Sequence, residues 1–119
     1  MAIATTSVPP GDYGFMINFD SADVSASEII LAAGGAGTYI YLDQLWLNSA
    51  AAISLTVGAG IGGGAVTTPY VGPVLFAAGL TLHWDFRSSG GIKFPANTLL
   101  GIDGSGAGQI SGFASGKIV

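Results

Sequence analysis

The chain's only histidine, His83, is the residue whose type is best suited to acid–base or metal chemistry. It lies two residues before Asp85, yet a zinc site or a Ser-His-Asp triad needs a histidine with organised partners, and the chain has no cysteine to help bind zinc. In the alternating run 80–86, His83 falls on the polar face together with Asp85. We therefore expect His83 to be exposed or interfacial, and we predict that the protein has no catalytic residue and is not an enzyme.

Four carboxylates in the first quarter of the chain form a second candidate for chemistry: Asp12, Asp20, Asp23 and Glu28. Calcium and similar cations need several oxygens that converge at about 2.3–2.6 Å. The spacing of these residues lacks the alternating acidic pattern of a calcium loop, so a site would have to be assembled by folding or at a trimer axis. We interpret the four residues as solvated loop charges and predict no metal and no cofactor.

A glycine motif, Gly58-Ala59-Gly60-Ile61-Gly62-Gly63, has the GxGxxG spacing of a dinucleotide-binding turn, and Asp85 follows it about twenty residues later. Such a turn binds the pyrophosphate at the N-terminus of a helix. The residues that follow include Thr67-Thr68-Pro69 and Pro73 instead, which do not favour a helix. We therefore interpret Gly58 to Gly64 as a flexible hairpin loop without a nucleotide.

Five aromatic side chains could form a platform on which a sugar ring stacks: Tyr39, Tyr41, Trp46, Tyr70 and Trp84. Trp84, however, belongs to the apolar face of run 80–86, which predicts a core residue. Trp46 and Tyr70 are equally suited to anchor a protein interface. We favour core or subunit packing for these residues, and a sugar platform is the alternative.

The composition is unusually poor in charge. Of 119 residues, three are Lys or Arg and seven are Asp or Glu, so 8% are charged, against about 25% in ordinary soluble domains. The segment from Gln44 to Trp84 contains none of these residues. A surface without charge needs small polar residues or cover by another protein, so we interpret the chain as a component of an assembly.

The few charges also bear on partners and location. Nucleic acids and anionic membranes need clustered cations, whereas Arg87, Lys93 and Lys117 are scattered along the chain, so we expect binding to neither. The apolar window 50–66 is shorter than the ~20 residues of a membrane-spanning helix. The N-terminus lacks the basic and apolar regions of a signal peptide, which indicates synthesis and folding in a cytoplasm.

Short runs of β-branched, aromatic and leucine residues, each closed by glycines or a proline, predict an all-β protein. The runs are 13–19, 27–31, 39–47, 53–57, 66–76, 80–86, 92–94, 98–102 and 109–119. We predict an antiparallel, jelly-roll-like β-sandwich of about eight or nine strands over residues 13–119. The residues before it, 1–12, contain Pro9-Pro10-Gly11 and are expected to form an extended arm.

Three runs carry more specific expectations. Both faces of run 39–47 are mostly apolar, which is typical of a strand covered on one side by a second sheet and on the other by a neighbouring subunit. Pro69 and Pro73 place run 66–76 at a sheet edge or in a loop, because proline donates no ladder hydrogen bond. Run 80–86 alternates most regularly, which predicts a well-buried strand.

Turns and strands follow one another in a characteristic order from about Ser27 to the C-terminus. In chain order they are Ile30-Leu31-Ala32-Ala33-Gly34 before run 39–47, the strand and glycine loop 53–64, the strand 80–86, Gly90-Gly91, Phe94-Pro95-Ala96-Asn97-Thr98-Leu99-Leu100, and a final strand that ends with Gly112 to Gly116. This order, over about three-quarters of the chain, resembles that of a family of small bacteriophage virion proteins. Its motifs are structural turns, and no catalytic residue transfers with them.

The resemblance implies a capsid decoration (cement) protein, commonly trimeric, that lies on the virion surface and cross-links neighbouring subunits of the major capsid protein. On this hypothesis the residues expected at subunit or capsid interfaces are Ile3, Val8, Tyr39, Tyr41, Trp46 and Tyr70. A receptor- or carbohydrate-binding β-sandwich of a phage tail fibre or spike is the alternative. A small hydrolase or isomerase on a jelly roll is disfavoured, because the chain has no cluster of His and Glu to hold a metal.

Overall fold

Two antiparallel sheets pack face to face in the computed structural model, which describes residues 3–7 and 14–119. The six strands of the first sheet are β1 (Ala4–Ser7), β2 (Gly14–Ser21), β4 (Ile40–Ser49), β7 (Leu80–Asp85), β8 (Ile92–Lys93) and β10 (Ile110–Ile118). The four strands of the second sheet are β3 (Glu28–Leu31), β5 (Ser54–Gly62), β6 (Ala65–Leu75) and β9 (Leu100–Gly104). The predicted all-β antiparallel sandwich is therefore confirmed.

The connectivity is that of a jelly roll. The strands pair as a nested set around the hairpin of β5 and β6: β4 pairs with β7, β3 with β9, and β2 with β10. As a result, the order β2-β10-β4-β7 in one sheet lies against β3-β9-β5-β6 in the other. The short strands β1 and β8 extend this framework by pairing with β2 and β4.

The core lies between the sheets and consists of the inward-facing residues of each strand. In β2, Phe15, Ile17 and Phe19 are buried and alternate with more exposed residues, as the pattern of run 13–19 predicts. The largest fully buried side chains are Phe76, Phe94, Ile40, Leu42, Leu45, Leu47, Leu55, Leu100, Ile102 and Ile110. Two of these, Phe76 and Phe94, stand outside the strands and close the core where the chain crosses between sheets.

A β-bulge in β4 accounts for part of the apolar pattern of run 39–47. Ser115 pairs with Gln44 and Gly116 with Leu42, so Asp43 is an extra residue in β4. The extra residue shifts the phase of alternation, and the apolar residues before and after it both face the core: Ile40, Leu42, Leu45 and Leu47. The bulge therefore explains part of the apolar pattern without a neighbouring subunit, and cover of the outer face by such a subunit stays a prediction.

Two of the edge strands, β6 and β7, bear on expectations from the sequence. β6, which contains Pro69 and Pro73, lies at the edge of the second sheet, as the prolines predict. β7 lies at the edge of the first sheet, so its alternation gives the right face but only partial burial. Trp84 packs against the core, on the face that the alternation predicts, but it is only partly buried.

The glycine-rich segment after run 53–57 is a strand for most of its length and not a loop. β5 continues to Gly62, and only Gly63 and Gly64 form the turn to β6, with φ of 62° and 80°. Positive φ at both residues is the signature of a tight type I′ hairpin turn. Gly58 has a different role: a side chain there would collide with the backbone of Thr68 in β6, so the close approach of β5 and β6 needs glycine.

Part of the predicted N-terminal arm belongs to the sandwich. β1 pairs antiparallel with β2, and Ile3 packs against the core just before it. The rest of the arm from residue 8, including Val8, lies outside the described residues. Over the ranges 3–7 and 14–119, no helix is long and apolar enough to cross a membrane.

Candidate functional site

A row of four residues, three of them with aromatic rings, crosses the outer face of the first sheet, and we call it the aromatic row. The register places Asn18 of β2, Phe113 of β10, Trp46 of β4 and His83 of β7 side by side. The rings of Trp46 and His83 are stacked, with centroids 3.9 Å apart and planes inclined by 14°. Trp46 is still 43% exposed. A large, orientated aromatic surface is therefore available to a ligand.

A polar row runs beside the aromatic row, and its residues lie two positions from those of the aromatic row on the same strands. It contains Asp20, Ser111, Asn48 and Thr81, again placed side by side by the register. The side-chain amide of Asn48 donates to Thr81 Oγ1 at 2.8 Å and to the carbonyl oxygens of Gly79 and Leu80 at 3.3 Å. These bonds fix the Asn48 side chain and leave its oxygen as an orientated acceptor.

The two rows enclose a depression of about 450 Å³, which we call the sheet depression. Its lining residues are Asn18, Phe19, Asp20, Trp46, Leu47, Asn48, Thr81, Ser111, Gly112 and Phe113. The lining carries one formal charge, that of Asp20, and no Lys or Arg. The depression is thus an aromatic and hydrogen-bonding surface with a single carboxylate.

The cations of the chain lie away from the sheet depression and have partners of their own. Lys93 Nζ lies 4.3 Å from the ring centroid of Tyr39, and Lys117 Nζ lies 5.0 Å from that of Tyr41. Such cation–π contacts use the faces of both tyrosines, which are half-buried. Tyr39 and Tyr41, predicted as interface residues, are therefore covered in part by lysines of the same chain.

Arg87 forms an ion pair with Asp85 after the end of β7. Its guanidinium donates to both carboxylate oxygens, at 2.7 Å from Nη2 to Oδ2 and 3.0 Å from Nε to Oδ1. These hydrogen bonds, and a further one from the backbone N–H of Arg87, lower the pKa of Asp85 to about 2. The carboxylate of Asp85 therefore stays ionised. Both side chains of this ion pair are exposed to solvent.

Of the four carboxylates that we interpreted as solvated loop charges, Asp12 lies outside the described residues, and the other three are not gathered into a metal site. Asp20 lies in the sheet depression, and Asp23 accepts a hydrogen bond from the backbone N–H of Ser25 at 2.9 Å, which lowers the pKa of Asp23. Glu28 is buried at the start of β3. Within the described ranges, no three His, Cys, Asp or Glu side chains are grouped in a way that could hold a metal ion.

One end of the sandwich is built from four loops that are rich in alanine and glycine: 22–27, 50–53, 76–79 and 105–109. Backbone hydrogen bonds join them, including Val24 N to Gly108 O at 3.0 Å and Ala50 N to Gln109 O at 2.9 Å. Their exposed alanines are Ala22, Ala26, Ala50, Ala52, Ala77, Ala78 and Ala107. Asp23 is the only charged residue of these loops. We call this surface the alanine-rich end.

The remaining predicted interface residues are placed differently. Tyr70 of β6 packs on the core residue Phe94, with ring centroids 5.1 Å apart, so it closes the core as much as it faces solvent. Of the predicted interface residues that the structure describes, Trp46 alone lies in the sheet depression. Its neighbour Phe113 was missed, because only the strand register brings it beside Trp46.

No protein-family model matches the sequence, and a search of curated proteins gives no match. Solved structures of similar architecture include a proposed mannose-6-phosphate isomerase from Ralstonia eutropha JMP134, at 12% identity and a TM-score of 0.38 over 97% of this chain and 83% of that chain. A cupin superfamily protein from Desulfitobacterium hafniense DCB-2 aligns at 11% identity and a TM-score of 0.37 over 93% of this chain and 74% of that chain. This likeness concerns the arrangement of strands and carries nothing about activity.

Proposed function

We propose that the protein is a non-enzymatic structural component of a virion: a trimeric decoration (cement) protein that docks on the major capsid protein and stabilises the head. The observation that carries the proposal is the alanine-rich end, where four loops present small apolar side chains and one charge. Leu75 and Leu80, at the margins of loop 76–79, are both exposed. A surface of this kind is suited to burial against another protein.

Small side chains favour docking for a thermodynamic reason. Alanine and glycine lose no rotamer freedom when they are buried, whereas a lysine or glutamate loses about 1.5–2 kcal/mol and must also be desolvated. A standard interface buries about 1,600 Å², and apolar burial contributes roughly 25 cal/mol per Å². Because little entropy is lost when these side chains are ordered, more of the free energy of burial remains as net affinity. Each copy bound to a phage head contributes this affinity.

The isolated protein is expected to form a trimer. The resemblance to decoration proteins implies this oligomer, and the low charge of the chain offers little electrostatic repulsion between copies. Sedimentation equilibrium at micromolar concentration measures the mass directly. A single species of 11.8 kDa would contradict the trimer.

A charge placed on the alanine-rich end is expected to abolish capsid docking. Leu75 is 74% exposed, so Leu75→Asp adds a charge that stays solvated in the free protein but must be desolvated in an interface. The variant should fold normally and lose at least about tenfold in affinity for heads stripped of the protein. Cosedimentation with stripped heads measures this loss, and mass spectrometry of intact virions gives the copy number.

Val119→Asp is the matched control, because Val119 is also an exposed apolar residue, at 61%, but lies at the opposite end beside Tyr39. It should dock like the unmodified protein. Equal losses for both variants would show that the alanine-rich end is not the docking surface. A copy number of a dozen or fewer per virion would place the protein in a tail or vertex and would overturn the decoration role.

A further inference from the structure

We infer that the sheet depression binds a neutral saccharide, such as the sugar units of a surface glycan. This site is separate from the alanine-rich end, because it lies on the outer face of the first sheet and is formed by strand residues. The inference does not depend on the capsid role. It follows from three properties of the depression: a fixed aromatic wall, a row of hydrogen-bonding groups, and the sign of its charge.

The aromatic wall is the indole of Trp46. His83 of β7 stacks on one face of the indole at 3.9 Å and does not line the depression. Because His83 covers that face, a ligand has access to the opposite face, on the side of Phe113 of β10, which lines the depression together with Ser111 and Thr81. The C–H face of a sugar ring packs on such a surface, and the stack with His83 holds the indole in place before the ligand arrives.

The polar row supplies partners for the hydroxyl groups of a sugar. The oxygen of Asn48 is an orientated acceptor, because its amide is already bonded to Thr81 and to two backbone carbonyls. Asp20 adds a carboxylate and Ser111 a hydroxyl on the neighbouring strands. Acceptors and donors set beside an aromatic face match the two sides of a sugar ring, one apolar and one rich in hydroxyls.

The charge of the depression selects a neutral ligand. Asp20 is its only charged residue, and it would repel a phosphate, a sulfate or a uronic acid. Lys93 and Lys117 lie over Tyr39 and Tyr41 outside the depression, and Arg87 is paired with Asp85. The volume of about 450 Å³ is within the range of roughly 300–1,000 Å³ typical of small-molecule sites.

The test is a ¹⁵N NMR titration of the full chain with the methyl glycosides of glucose, galactose, mannose and N-acetylglucosamine, with glucuronic acid as the anionic counterpart. At least one neutral glycoside should shift the indole N–H signal of Trp46 and the side-chain amide signals of Asn18 and Asn48. The indole signal of Trp84, on the inner face of β7, should not move. Trp46→Ala should lower the affinity at least about tenfold.

Leu75→Asp is the matched control for this site, because it should leave saccharide binding unchanged while it removes capsid docking. Trp46→Ala should do the reverse, so the failure of one proposal is distinguishable from the failure of the other. The saccharide site is overturned if no neutral glycoside shifts these signals at tens of millimolar, if glucuronic acid binds equally well, or if binding survives Trp46→Ala. Loss of docking on Trp46→Ala without any saccharide binding would make the depression a protein interface instead.

Discussion

A Phe76→Ala variant is expected to lower the free energy of unfolding by about 3–5 kcal/mol. Phe76 is fully buried and lies where the chain crosses from β6 in the second sheet to β7 in the first. Its backbone N–H donates to the carbonyl of Ile53 at 2.9 Å, so neighbouring backbone holds the position and cannot collapse freely into the space left by the ring. Urea denaturation, with an unchanged dependence on denaturant, measures the loss.

Trp84→Ala provides the comparison. Trp84 is the larger side chain, but it lies on the edge strand β7 and is only partly buried. Trp84→Ala removes less buried apolar surface than Phe76→Ala and leaves a space that water can enter. It should therefore lower the free energy of unfolding less than Phe76→Ala does. An equal or larger loss for Trp84→Ala would show that β7 is covered in solution, for instance by another subunit, and that its edge is not free.

The sequence was sufficient to predict the class of fold, because the signals that matter for it are local. The alternation of apolar residues in run 13–19 predicts a strand with one buried face, and β2 has this alternating burial. Pro69 and Pro73 have no backbone N–H to donate to a neighbouring strand, and β6, which contains them, is an edge strand. Each of these inferences needs only the residues of one strand, so no knowledge of the partner strands is required.

The features that the sequence did not reveal depend on a partner strand. The bulge at Asp43 exists because β10 pairs with β4 on both sides of it, and nothing in run 39–47 alone distinguishes a bulged strand from one covered on both faces. In the same way, the glycines from Gly58 to Gly62 suggested a loop by composition. Gly58 is required instead by the close approach of Thr68 in β6, which is ten residues further along the chain.

The candidate site could be predicted only in part for the same reason. Trp46 was recognisable as an aromatic without a clear place in the core. Its partners Phe113 and His83 are brought beside it by the register of β10, β4 and β7. The alanine-rich end is likewise assembled from four loops that are distant in sequence. A site that is spread over several strands leaves no spacing motif in the chain, which is why Trp46 and Asp20 were named in advance for separate reasons and the site as a whole was not.

The second large effect is expected for Gly112→Ala, which should lower the free energy of unfolding by about 1–3 kcal/mol. The register places Gly112 of β10 beside Phe19 of β2, and Gly116 beside Phe15. A β-carbon at Gly112 would overlap the ring of Phe19 and the carbonyl oxygen of Trp46, so the ring covers the glycine and occupies the space of its missing side chain. Thermal and urea unfolding measure the loss.

Gly106→Ala is the matched control. The nearest atom to a β-carbon at Gly106 is Ile53 Cγ2, at 3.7 Å, which is an ordinary contact, so this change should alter stability by no more than about 0.5 kcal/mol. Phe19→Leu, combined with Gly112→Ala, should recover only the part of the loss that comes from the ring, because the overlap with the carbonyl oxygen of Trp46 remains. If Gly112→Ala is as stable as the unmodified protein, the ring of Phe19 does not lie over β10. The spacing of Gly112 and Gly116 would then need an explanation other than the packing of two phenylalanine rings.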